Sequence, residues 1–132
     1  EGWADLVLLS DVLEHVDDPK AAVTEAGRLL RPGGTLFLNT FDRRPGAGLL
    51  VVTVAEGLGL VPRGTHDPAM FVRPSEVDDA AREAGMTRTQ LVWEAPSLVK
   101  TVRTWTIHMR RAAGGFAYTA LYEKAGPDGG IL

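Results

Sequence analysis

The sequence predicts an α/β fold in which parallel strands are followed by a C-terminal antiparallel hairpin, and three observations carry that expectation. Two short apolar runs, at residues 6–9 and 35–39, bracket a stretch with helical periodicity. A second helical stretch follows a long apolar segment. Three strand-like segments close the chain, the last two separated by a glycine-containing turn. Strand, helix, strand favours a parallel right-handed crossover, whereas a short turn between strands favours antiparallel pairing.

Leu6-Val7-Leu8-Leu9 is led by Asp5 and stopped by Ser10-Asp11, the pattern of a strand buried on both faces. Asp18 followed by Pro19 is an N-cap with proline at the first helical position, and Ala22, Val23, Ala26, Leu29 and Leu30 recur at helical spacing. An amphipathic helix over residues 19–30 follows from this. Pro32-Gly33-Gly34 ends it, and Thr35-Leu36-Phe37-Leu38-Asn39 is the second buried strand. From Pro45 to Val61 only Thr53 and Glu56 interrupt apolar or small residues, which predicts a loose helix and then a loop. A cleaner helix runs from an N-cap at Ser75 through Glu76 to Ala84 and stops at Gly85, with Asp78 and Asp79 in its early turns. Strands are expected at Thr87–Glu94, Thr104–Arg110 and Phe116–Glu123, the last two joined as a hairpin by Arg111-Ala112-Ala113-Gly114-Gly115. Residues 1–125 are expected to form one unit and residues 126–132 a flexible tail.

Composition narrows the function. The chain has 132 residues, 45% hydrophobic and 23% charged, which suits a packed domain rather than a disordered or fibrous chain. A net charge of -3 lacks the basic footprint that phosphate backbones select, so no nucleic-acid partner is expected. With no cysteine, any metal must be held by carboxylates, histidines or carbonyls. Glu1-Gly2-Trp3-Ala4-Asp5 has no basic leader character, and no apolar run approaches the roughly 18 residues of a membrane span. A cytoplasmic protein is expected.

Two stretches carry a resemblance. Asp5 to Val16, ending in Ser10-Asp11-Val12-Leu13-Glu14-His15-Val16, and Leu29-Leu30-Arg31-Pro32-Gly33-Gly34-Thr35-Leu36 resemble the fourth strand, following helix and fifth strand of class I S-adenosylmethionine-dependent methyltransferases. Glu14-His15-Val16, with Pro62-Arg63-Gly64-Thr65-His66-Asp67 and Phe71-Val72-Arg73-Pro74-Ser75-Glu76, resembles the ubiquinone-biosynthesis O-methyltransferase family within that class. The resemblance implies the C-terminal portion of a Rossmann-like methyltransferase sheet. The glycine loop and ribose-binding acid that hold S-adenosylmethionine in such enzymes have no counterpart in these residues.

Asp11, Glu14 and His15 stand at i, i+3 and i+4, so on an α-helical turn they face one way at the C-terminal end of a strand. Two carboxylates and an imidazole suit Mg²⁺, Mn²⁺ or Zn²⁺, and the resemblance implies a metal-binding role for them, with Asp11 replacing a glutamate. A capping box from Asp11 to Glu14 is the competing reading. His15 is the only titratable nitrogen in the motif and is the candidate base for either chemistry. Ser10 matches the family's cofactor-contacting position, or is simply a helix-entry residue. His66 and Asp67 fall in a loop that is either a conventional turn or, by resemblance, a lid over the substrate. His108 reads as a surface histidine. Gly46–Val61 fits a core helix, a substrate-channel lid or a membrane-surface helix, flanked by Arg43, Arg44 and Arg63.

The expected function is methyl transfer from S-adenosylmethionine to a phenolic or catechol-type small molecule, a quinone precursor, with peripheral contact at the inner membrane face through Gly46–Val61. The alternative is a non-catalytic fragment. In either case Leu6–Leu9 needs a strand neighbour, from an N-terminal half or from a second copy in a homo-oligomer.

Overall fold

The computed structural model describes residues 2–46, 56–57, 59, 67–97, 100, 103–104 and 108–126. Its elements are β1 (Ala4–Ser10), α1 (Pro19–Leu29), β2 (Leu30–Phe41), α2 (Pro74–Glu83), β3 (Met86–Pro96), β4 (Met109–Arg111) and β5 (Ala117–Lys124), with 3₁₀ turns at Leu13–His15 and Pro68–Met70. The sheet order is β1-β2-β5-β3-β4. β1 and β2 are parallel and joined through α1, and every later pairing is antiparallel.

The antiparallel half is present, but not as the expected hairpin. β4 lies outside β3, with Glu94 opposite Arg111, while β5 inserts between β2 and β3. The glycine-containing turn steps across β3 from its outer edge to its inner one. Ala112 N–H donates to Trp93 O at 2.9 Å, and a Cβ on Gly115 would lie 2.0 Å from Glu94 O, so only glycine permits the crossing. Thr104, expected in a strand, is helical and donates its hydroxyl to Lys100 O at 2.9 Å.

α1 begins as its sequence predicts, with Asp18 Oδ1 accepting from Ala21 N–H at 2.9 Å and Pro19 at its first position. Its C-terminal carbonyls are closed from the sheet, because Lys124 Nζ donates to Gly27 O and Leu30 O, both at 2.7 Å. Gly27 also lets α1 approach the end of α2, since a Cβ there would lie 2.8 Å from Ala84 Cβ. The N-cap of α2 is Arg73 rather than Ser75, because Pro74 already occupies a helical position that needs no N–H partner. Glu76 Oε2 accepts the Arg73 N–H at 2.8 Å.

Both helices cover one face of the sheet. Val23 and Ala26 of α1 and Val77, Ala80 and Ala81 of α2 share a core with Leu36, Leu38, Tyr118, Ala120 and Tyr122. Fully burying a side chain of the valine or leucine class is worth about 1.5–3 kcal/mol, so this cluster dominates the fold's stability. The opposite face differs from the expectation for β1, which was burial on both sides. Leu6 is 53% and Leu8 61% exposed, and neighbouring Trp3 is 77% exposed. Among the described residues no helix packs over that face, and β1 has no partner on its outer edge. The loose helix and loop expected over residues 45–66 lie outside the described residues, apart from 45, 46, 56, 57 and 59.

Candidate active site

The parallel pair ends in register, with Ser10 opposite Asn39. Asp11 then takes the left-handed conformation, φ 51, which aspartate tolerates better than most residues and which turns the chain sharply off the sheet. Its N–H is held there by Asn39, at 3.3 Å from the backbone oxygen and 3.2 Å from Oδ1. Ser10 and Asp11 are exposed at the C-terminal end of the strand, where open α/β sheets place their ligands.

Leu13–His15 forms a 3₁₀ turn, in which successive side chains diverge by about 120° at three residues per turn. Leu13 and Glu14 therefore point inward, at 0% and 3% exposure, while His15 stays at the surface. Glu14 Oε2 accepts from Thr40 Oγ1 of β2 at 2.6 Å, and Glu14 Oε1 is buried without a hydrogen bond. His15 N–H donates to Val12 O at 3.0 Å, which closes the turn.

This arrangement differs from the geometry that the metal expectation assumed. The i, i+3, i+4 alignment of Asp11, Glu14 and His15 belongs to an α-turn, but Asp11 precedes the 3₁₀ turn and Glu14 is withdrawn toward Thr40. Among the described residues no three His, Asp or Glu side chains are grouped to hold a metal ion. As arranged, the three do not fit one. The competing cap does not form either, because the N-cap position is Val12 and no side chain bonds there.

Beyond His15 the chain borders a cavity of about 310 Å³ walled by Val16, Asp17, Arg43, Phe71 and Glu76. Arg43 and Arg44 leave the end of β2 toward this region. Arg43 pairs with Glu76, and Arg44 Nε donates at 2.9 Å to the buried Asp42 carboxylate while its guanidinium lies 4.3 Å from the Trp93 ring centre. Phe71 is buried and stacks on Phe41 at 5.2 Å. Tyr118 donates to Val72 O at 3.0 Å and Tyr122 to Asp78 Oδ1 at 2.8 Å. Burial pushes both phenols well above the ordinary tyrosine range, and for Tyr122 the Asp78 carboxylate adds to it.

Asp67 takes the bland alternative, its Oδ1 accepting from Ala69 N–H at 2.9 Å to cap the Pro68–Met70 turn. His66 lies outside the described residues. His108 is half-buried, with Nε2 2.8 Å from Thr104 Oγ1. Sequence reasoning missed Asn39 and Thr40, which fasten the loop after β1; their signal is the appearance of two polar residues directly after the apolar run Leu36-Phe37-Leu38.

Residues 1–91 match a family model described as a methyltransferase domain. The ubiquinone biosynthesis O-methyltransferase of Pseudomonas aeruginosa (strain UCBPP-PA14) is 48% identical over 86 residues, 64% of this chain and 37% of that protein. The enzyme of the same name from Thiobacillus denitrificans (strain ATCC 25259 / T1) is 45% identical over 91 residues, 68% of this chain and 39% of that protein. The chain thus spans well under half the length of these relatives. A Thermotoga maritima structure described as a SAM-dependent methyltransferase, possible histamine N-methyltransferase, aligns with TM-score 0.60 at 23% identity, covering 91% of this chain and 56% of that one. Magnesium protoporphyrin IX methyltransferase from Synechocystis PCC 6803 aligns with TM-score 0.55 at 12% identity, covering 95% of this chain and 47% of that one. These two likenesses show a shared fold.

Proposed function

The chain belongs to the methyltransferase-domain family, and from that premise we propose that it is the C-terminal part of an S-adenosylmethionine-dependent O-methyltransferase whose acceptor is a phenolic or catechol-type quinone precursor. The relatives named for ubiquinone biosynthesis support the acceptor class. One observation supports a chemical role for this chain. An exposed imidazole, His15, stands on a turn beyond a parallel strand end, with neighbouring Glu14 fixed to β2 through Thr40.

When bound, S-adenosylmethionine supplies an electrophilic methyl on a sulfonium. Exposed Ser10 at the end of β1 fits one side of such a molecule. His15 accepts the proton of the acceptor hydroxyl, so that the phenolate oxygen forms the new bond. Glu14, Thr40, Asp11 and Asn39 hold the turn that carries it, and in-line alignment of the reactants supplies much of the remaining acceleration. This reading places the enzyme in the cytoplasm, touching the inner membrane face through residues 46–61. No helix among the described residues is long and apolar enough to cross a membrane.

The test is methyl transfer from labelled S-adenosylmethionine to catechol by the full-length protein. Labelled guaiacol is the expected product. No transfer to any phenol would overturn the reading in favour of the second one, a non-catalytic sheet-pairing unit, which the exposed Leu6, Leu8 and Trp3 favour.

A further inference from the structure

The side-chain amide of Asn39 has one end in use and one end free. Near the C-terminal end of β2 it stands across from Ser10 on β1 and across from Thr119 on β5. Leu38 and Thr40, on either side of it in the strand, are buried on the core side, so the Asn39 side chain lies on the other face. An N–H donor must meet the oxygen of an amide, and the Asp11 N–H does so at 3.2 Å, which leaves the NH2 as the outward branch. That NH2 has no hydrogen-bond partner among the described residues. Nor is it shut in, because among those residues only Glu14 Oε1 is an enclosed side-chain polar atom without a partner. Fixed donors therefore reach the surface at a strand end, where open α/β sheets place their ligands.

The surroundings select the ligand. Neighbouring strands lie about 4.8 Å apart, so reactants lying side by side at this end can touch Ser10 and Asn39 together. Ser10 fits the S-adenosylmethionine side, and from Asn39 the chain runs on to Arg43, which walls the cavity beyond His15, so Asn39 stands on the acceptor's side. Neither neighbour in register is cationic, and the Thr119 hydroxyl is committed to Glu94 Oε2 at 3.1 Å, so the charge met across the sheet is negative. An amide NH2 in that setting suits the neutral oxygen of a hydroxyl rather than a carboxylate or a phosphate. A plain phenol has only the oxygen that is methylated. A catechol offers a second one beside it.

We propose that Asn39 is a specificity-determining residue, whose Nδ2 donates to the acceptor hydroxyl that stays unmethylated, next to the oxygen that receives the methyl group. The role of acceptor rests on the methyltransferase reading, whereas recognition of two adjacent oxygens does not depend on turnover. The bond is present before transfer as well as during it, so it acts on binding and orientation more than on the barrier.

The experiment is a titration of the isotopically labelled full-length protein with catechol and with phenol, followed by NMR on the Asn39 side-chain NH2 signals. Catechol is expected to shift them saturably and to bind about tenfold more tightly than phenol, the difference one neutral hydrogen bond makes. Asn39→Asp keeps an oxygen for the Asp11 N–H and removes both donors. It should cancel the catechol preference and raise KM for catechol by about tenfold, more than it lowers kcat, whereas a merely structural role in holding the turn would lower kcat instead. Asn39 signals that catechol leaves unmoved, equal binding of phenol, a preference that survives Asn39→Asp, or a fall in kcat with KM unmoved would each overturn the proposal. If catechol binds as expected but no phenol is methylated, the functional reading fails and recognition by Asn39 stands.

Discussion

Thr40 Oγ1 and Glu14 Oε2 share a 2.6 Å hydrogen bond in the interior, and it fastens the turn after β1 to β2. The second Glu14 oxygen has no hydrogen bond, so Thr40 alone offsets the burial of this carboxylate with one. Thr40→Val should cost about 1–3 kcal/mol in urea unfolding, more than an ordinary hydroxyl loss, because a buried acceptor is orphaned. Combining it with Glu14→Met should recover part of that loss. Additive losses in the double variant would mean that the two groups do not depend on each other.

The proposed base lies on the same turn but faces outward. His15→Ala should leave the thermal melt unchanged, since His15 is exposed, and lower turnover of the full-length protein by about 10²–10⁴-fold. A variant that retains its rate would remove His15 from the chemistry and leave alignment alone.

The parallel half of the fold was legible because each element carries its own punctuation: Asp18-Pro19 starts α1, and residues 35–39 read as a strand that the structure extends to Leu30–Phe41. The site was less so. The spacing of Asp11, Glu14 and His15 is meaningful only once the helix type is known, and Asp11 at φ 51 followed by a 3₁₀ turn sends the three side chains to different places. Likewise the turn at residues 112–115 has a hairpin's composition, and only the contact of Gly115 with the Glu94 backbone shows that it crosses β3 instead. Tertiary contacts decided both cases, and local sequence does not encode them.

Tyr118 and Tyr122 are the chain's only two tyrosines, so an alkaline titration reads them directly. Burial raises both folded-state values above the unfolded one. A raised folded value gives stability that is fully present below the unfolded pKa of about 10 and is lost as pH climbs beyond it. Tyrosinate absorbance should therefore appear together with the loss of circular dichroism. Ionisation near pH 10, about the free value, in a chain that keeps its fold would show the phenols to be accessible.

The outer edge of β1 gives the last expectation. Leu6 and Leu8 are 53% and 61% exposed on the face that α1 and α2 leave open, with Trp3 beside them. The strand's only charge, Asp5, does not guard the edge, because Arg31 Nε of β2 donates to it at 2.6 Å. A strand edge that is unpaired among the described residues and whose one charge is already paired joins readily with another chain, and natural edges prevent this with lysine. The chain by itself should therefore sediment above its monomer mass at micromolar concentration. Leu6→Lys with Leu8→Lys should return it to monomer without lowering the melting temperature, since both side chains are already in solvent. Wild-type chain that sediments as a monomer would show that this edge needs no neighbour, from a second copy or from any further part of the protein.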